Sequence, residues 1–216
     1  MKLLLYSDYW CMPNKDVLSM LSNKGGTCLF CDYADRRAFK YIASVKAHLS
    51  EVFDKIIDLS ADFKFDEKID CIFVNGGNNF ELTYKLHKHG QFEKIKEMIL
   101  SGVLYIGNSA GSVLLGDDFM FSVQYEPPER NLDKDFFCKG FGLIHKNIVV
   151  HASKYKLGDT NGLYFNKASW QTYLKYKKDI PNSIKIGNNE VFAVDGDVQK
   201  IKRYSFKKLA EKIVEK

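Results

Sequence analysis

The sequence predicts one α/β domain, residues 1–216, built on a doubly wound, mostly parallel sheet with helices on both faces. Three observations carry that expectation. Short apolar runs alternate with longer amphipathic stretches, the pattern of βαβ units. Several of the runs are apolar nearly throughout, as parallel strands covered on both faces are. The length of 216 residues suits a single domain of this kind.

The expected strands are "KLLLYS" (2–7), "TCLFC" (27–31), "KIIDLS" (55–60), "DCIFVN" (70–75) and "VLYIGN" (103–108). Helices fall between them. Over 36–50, Phe39, Ile42, Val45 and Leu49 share a face; over 91–100, Phe92, Ile95, Met98 and Ile99 do. After residue 140 the pattern changes. "GFGLIHKNIVVH" (140–151) reads as a strand or strand pair, and 160–179 as a helix capped near Thr160. "SIKIGNNEVFAVDGDVQKIKRY" (183–204) reads as a late β-hairpin turning at Asp195-Gly196. In the tail, "KRYSFKKLAEKIVEK" (202–216), Phe206, Leu209, Ile213 and Val214 fall near helical spacing and predict a terminal amphipathic helix.

Composition narrows the function classes. The chain is 45% apolar and 27% charged, values of a globular protein. Its net charge of +5 is spread over predicted helix faces and the tail, without the dense basic stripe that nucleic-acid binding needs. Cysteines stand at 11, 28, 31, 71 and 138, an odd number. Cys28 and Cys31 form a CxxC on a predicted strand, where residues three apart face opposite ways. Reduced, buried thiols are therefore expected, not a redox or zinc pair. "MKLLLYSD" has too few leucines for a signal peptide, and no run reaches membrane-spanning length. A soluble, cytoplasmic protein is expected.

Chemistry concentrates in "YIGNSAGSVLLG" (105–116), which contains G-x-S-x-G as Gly107-Asn108-Ser109-Ala110-Gly111. An apolar strand precedes it and a helix-compatible stretch follows. That is the setting of a nucleophile elbow, a sharp strand-to-helix turn whose glycines relieve backbone crowding. Ser109 would then sit at a helix N-terminus, where free N–H groups favour negative charge. A second small-residue loop, Asn75-Gly76-Gly77-Asn78-Asn79, ends another predicted strand at the same sheet edge. The N–H groups of Gly77 and Ala110 are the expected oxyanion-hole donors. A serine nucleophile also needs a base. Of the five histidines, His48, His87 and His89 fall on predicted helix surfaces or ends. His151 follows "NIVV" at a strand end, and His145 is its rival.

These stretches, "NGGNNFEL" (75–82), "YIGNSAGSVLLG" and "GLIHKNIVVH" (142–151), resemble the peptidase E (aspartyl dipeptidase) and cyanophycinase family of serine peptidases. "GNNEVFAVDG" (187–196) resembles the family's late glutamate-bearing hairpin. The chain differs from the family pattern at Asn75, Asn79 and Val150. The resemblance implies a fold akin to class I glutamine amidotransferases and Ser-His-Glu chemistry. It maps Ser109 to nucleophile, His151 to base and Glu190 to the acid, with Glu126 as the rival acid. It also implies cleavage after aspartate, whose carboxylate would meet a cation such as Arg130, Lys154 or Lys156. Asn78 is a further candidate substrate contact.

The chemistry so read uses no metal and no organic cofactor. The expected partner is a short peptide substrate, with no nucleic acid and no membrane; a homodimer is left open. Two other readings compete. An α/β-hydrolase-type esterase shares the elbow but runs serine–acid–histidine, with the histidine close to the C-terminus. An inactive family member would serve as a binding protein. A glutamine amidotransferase would want cysteine at Ser109 and a carboxylate at Ser153.

Overall fold

The computed structural model describes residues 1–8, 14–21, 25–34, 39–124, 132–152 and 180–204. In chain order these form β1 (Lys2–Tyr6), α1 (Asn14–Met20), β2 (Thr27–Cys31), α2 (Phe39–Leu49), β3 (Lys55–Asp58) and β4 (Cys71–Val74). Then come α3 (Asn79–Lys88), α4 (Phe92–Leu100), β5 (Leu104–Asn108), α5 (Ala110–Val113), a 3₁₀ turn (Met120–Gln124) and α6 (Lys134–Phe137). The described chain closes with β6 (Asn147–Val149), β7 (Ser183–Lys185), β8 (Glu190–Asp195) and β9 (Val198–Arg203). Seven strands form the main sheet in the order β3-β2-β4-β5-β1-β8-β9. The first five are parallel, and β8 and β9 continue the sheet antiparallel to β1 and to each other.

The unbroken apolar runs have a direct explanation. Alternate residues of each central strand enter two separate cores. Leu3, Leu5, Leu29, Cys31, Ile72, Val74 and Tyr105 pack on one face with side chains of α3, α4 and α5. Leu4, Tyr6, Cys28, Phe30, Cys71, Phe73, Leu104 and Ile106 pack on the other with α1 and α2. Each buried leucine or phenylalanine contributes about 1.5–3 kcal/mol relative to exposure, so neither face tolerates a polar residue cheaply. The same alternation parts the CxxC: Cys31 enters the first core and Cys28 the second. The four described cysteines are free and buried, and burial pushes the Cys31 thiol up to about 12. At one margin of the sheet, β9 is largely exposed and carries Lys200, Lys202 and Arg203, a charged edge that discourages further pairing. Among the described residues, no helix is long and apolar enough to cross a membrane.

Two expectations are modified. The late hairpin is present, but Asp195 pairs with Val198, so its two-residue turn is Gly196-Asp197, one residue later than expected. Gly196 takes φ +58, which a two-residue hairpin turn favours at that position. The stretch 140–151 contributes one short strand, β6, paired in parallel with β7 in a separate two-stranded sheet. The preceding residues are spent elsewhere: Phe141 N–H donates to Leu114 O at 2.7 Å and Ile144 N–H to Leu115 O at 3.0 Å, tying them to the end of α5. The expected helix over 160–179 lies outside the described residues, as do residues 205–216 of the expected tail helix; Lys202 and Arg203 belong to β9.

Candidate active site

The site forms where the parallel strands β1, β4 and β5 end together, bringing Ser7, Asn75 and Ser109 to one sheet edge. Ser109 leaves β5 with φ 51 and ψ −110, and α5 begins at the next residue. A non-glycine residue in this conformation is strained, and such strain is held only where the surroundings impose it. Here Ser109 N–H donates to Tyr6 O at 2.9 Å. Ser112 Oγ lies 2.7 Å from both Tyr6 O and Gly107 O and joins helix to strands. Tyr105 OH donates to Gly111 O at 2.6 Å.

The two glycines of the motif are steric necessities. A Cβ on Gly107 would lie 2.7 Å from Ser112 N, and one on Gly111 would lie 2.1 Å from Val74 O. Gly111→Ala is therefore expected to destabilise the protein by about 2–3 kcal/mol, the cost of overpacking against backbone. A lowered denaturant midpoint at unchanged slope is the check; an unchanged midpoint would mean that α5 does not sit this close to β4.

The second loop wraps against the serine. A Cβ on Gly76 would come within 2.9 Å of Ser109 Cβ. Asn75 is fully buried, and its Oδ1 accepts from Gly76 N–H at 2.9 Å and Asn108 Nδ2 at 3.0 Å, locking loop to elbow. Gly77 has φ +141, and a Cβ there would overlap Ala34 O at 1.9 Å. Asn78 N–H donates to that same carbonyl at 3.1 Å. Asn78, expected to contact substrate, caps α3 with its Oδ1, which accepts from Phe80 N–H at 3.0 Å and Glu81 N–H at 3.1 Å. A side-chain oxygen so committed builds the loop. The Gly76 and Asn78 N–H groups, on either side of Gly77, are thus both engaged within the loop and its neighbour. Ala110 opens α5, where an N–H has no intrahelical acceptor.

The two candidate histidines differ in what they approach. His151 Nε2 lies 3.2 Å from Ser109 Oγ. The residue follows β6 with φ 52, and its N–H donates to Ser7 Oγ at 2.9 Å. Ser7 Oγ donates in turn to Ile186 O at 2.7 Å. His145 Nδ1 lies 3.2 Å from Asp117 Oδ1, with its side chain 88% exposed. His87 stacks on Phe92 at 4.2 Å, and burial holds its imidazole below the usual range.

The expected acid requires correction. Glu190 opens β8, but its carboxylate accepts from Gly187 N–H at 2.8 Å and from Arg203 Nε at 2.8 Å, with the second guanidinium contact at 2.6 Å. An arginine on the neighbouring strand and a backbone N–H in its own turn outcompete the histidine for it. The group at His151 Nδ1 is the carboxamide oxygen of Asn188, 2.8 Å away. Considering only carboxylates hides this residue, although "GNNE" places it two positions before Glu190. Glu126, Arg130, Lys154 and Lys156 lie outside the described residues.

The site of this α/β protein thus holds a half-buried serine on a strained strand–helix turn, with an imidazole against its hydroxyl at the open end of a parallel sheet. Residues 7–202 match the model of Peptidase family S51, and the chain belongs to that family. It is 29% identical over 160 residues to a Peptidase E of Shewanella denitrificans, covering 68% of this chain and 63% of that protein. It is 29% identical over 97 residues to an uncharacterised peptidase of Listeria innocua, covering 45% of each. The aligned stretches thus span less than two thirds of these relatives' lengths. Among solved structures, a candidate Peptidase E protein from Listeria monocytogenes EGD-e superposes with TM-score 0.73 at 24% identity, over 94% of this chain and 98% of that one. A peptidase from an acI-B1 actinobacterium gives TM-score 0.63 at 15% identity. These two likenesses bear out the expected fold.

Proposed function

We propose that the protein is a serine peptidase that hydrolyses short peptides. The observation that carries this reading is the 3.2 Å approach of His151 Nε2 to Ser109 Oγ, made by a serine held at φ 51. In the proposed reaction Ser109 Oγ attacks the peptide carbonyl and passes its proton to His151 Nε2. The Gly77 and Ala110 N–H groups take up the oxyanion. His151 then protonates the leaving amine, and water hydrolyses the acyl-serine by the reverse roles. Every step uses side chains and backbone of this chain.

The proposed substrates are short peptides cleaved after an N-terminal aspartate, as the resemblance of the sequence motifs implies. The cation that would meet the aspartate is sought among Arg130, Lys154 and Lys156. A dipeptide library incubated with the purified protein tests the assignment. Release of free amino acids, fastest from aspartyl dipeptides, is the expected result. Turnover of simple esters with no peptide turned over would favour the esterase reading, and no turnover of either would favour a binding role.

A further inference from the structure

We infer that Ser7 is a positioning residue for His151: its buried hydroxyl seats the small sheet that carries the base against the end of the strand that anchors the nucleophile. The inference rests on the proposed serine chemistry and concerns how its two reacting side chains are held at one separation.

Ser109 and His151 stand on different sheets. Ser109 leaves β5 of the main sheet, whereas His151 follows β6, which pairs with β7 in a two-stranded sheet of its own. Among the described residues no strand ladder joins the two sheets. The end of β1 supplies a common mount. The carbonyl of Tyr6, its last residue, accepts from Ser109 N–H at 2.9 Å and from Ser112 Oγ at 2.7 Å. The hydroxyl of Ser7, one residue on, accepts from His151 N–H at 2.9 Å and donates to Ile186 O at 2.7 Å. A backbone N–H can only donate and a carbonyl can only accept, so the partners themselves fix both roles of the hydroxyl. Ile186 O also accepts from Ala152 N–H at 2.9 Å, and Ile186 N–H donates to Val149 O at 2.8 Å. One oxygen thus grips both chains of the small sheet where they pair beside the site.

The grip falls on a residue that needs it. His151 has φ 52, a left-handed backbone that a non-glycine residue keeps only where its surroundings impose it. Ser7 Oγ bonds the N–H of that same residue. The segment before β6 is tied separately, by Ile144 N–H to Leu115 O at 3.0 Å, so release at Ser7 would loosen the His151 end alone. Ser7 is only 1% exposed, which places it to act through the backbone of His151 and not on a substrate. Without its oxygen the strained backbone at 151 loses a restraint, and the imidazole rides on that backbone. A displacement of about 1 Å between reacting groups costs on the order of 10²-fold in rate.

The test compares wild type, Ser7→Ala, Ser7→Thr and Asn147→Ala in the full chain. Each is assayed below its melting temperature for kcat and KM on the best dipeptide and for the rate of phosphonofluoridate labelling at Ser109. Crystal structures of wild type and Ser7→Ala give the separation of Ser109 Oγ and His151 Nε2. Ser7→Ala is expected to lose on the order of 10–10²-fold in kcat and in labelling rate, with KM within about twofold. Its Ser109–His151 separation should pass beyond hydrogen-bond reach. Ser7→Thr keeps the hydroxyl and should recover to within about threefold of wild type. Asn147→Ala removes a tie of the same sheet away from His151, Nδ2 to Pro181 O at 3.1 Å. It should leave kcat and labelling within about twofold of wild type. Wild-type kcat and labelling in Ser7→Ala would overturn the inference, as would an unchanged separation. So would a folded threonine variant as slow as the alanine variant, or an equal loss in Asn147→Ala. Should the alanine variant fail to fold, Ser7→Cys takes its place, filling similar space with a weak hydrogen-bonding group. If even the wild type neither hydrolyses peptides nor labels, the peptidase reading falls while the two crystal structures still judge Ser7.

Discussion

Ser109→Ala is expected to abolish peptide hydrolysis, lowering kcat by on the order of 10⁴-fold or more, as loss of a triad nucleophile does. The fold should survive. Alanine keeps the Cβ that packs beside Gly76 and the N–H that bonds Tyr6 O, and it inherits the same positive φ at little added cost. The hydroxyl is what is lost, and with it the nucleophile that His151 Nε2 activates in the proposed reaction. A melting temperature close to wild type together with absent turnover is the expected pair of results. Wild-type-like turnover by the variant would end the assignment.

His151→Ala is expected to cost on the order of 10³-fold or more in kcat. The backbone complicates the reading, because His151 has φ 52 and its N–H is bonded to Ser7 Oγ. His151→Asn is the better companion variant, since asparagine tolerates left-handed backbone well. Both variants should be crippled to a similar degree if the loss is chemical. His145→Ala should stay within about twofold of wild type, since its imidazole faces solvent beside Asp117. Steady-state kinetics on one dipeptide checks all three. A crippled His145 variant beside an active His151 variant would reverse the assignment.

The reach of the sequence follows from what each signal measures. Strands in the parallel core are legible because burial on both faces forces apolar runs, as in Leu3-Leu4-Leu5 and Cys71-Ile72-Phe73-Val74. The elbow is legible because close backbone approach admits only glycine at 107 and 111. His151 is legible through its place after "NIVV", although only geometry separates it from His145. The stretch 140–144 is not legible as a tie to α5 and the residues after it, since its backbone N–H groups donate to carbonyls more than twenty residues earlier in the chain. The group behind the histidine is hidden for a different reason. Charge draws attention to Glu190, but an ion pair with Arg203, thirteen residues away, claims its carboxylate. The neutral Asn188 carries no pattern that marks it, and only the folded turn brings its oxygen to the ring.

The central claim is that Ser109 is an activated nucleophile, and covalent capture tests it most directly. The native protein is treated with a phosphonofluoridate and the modified residue is located by peptide mass spectrometry. One adduct per chain, on Ser109, is predicted, lost in the Ser109→Ala and His151→Asn variants and in denatured protein. An unmodified native protein, or an adduct spread over surface hydroxyls and equal in the denatured chain, would contradict the account.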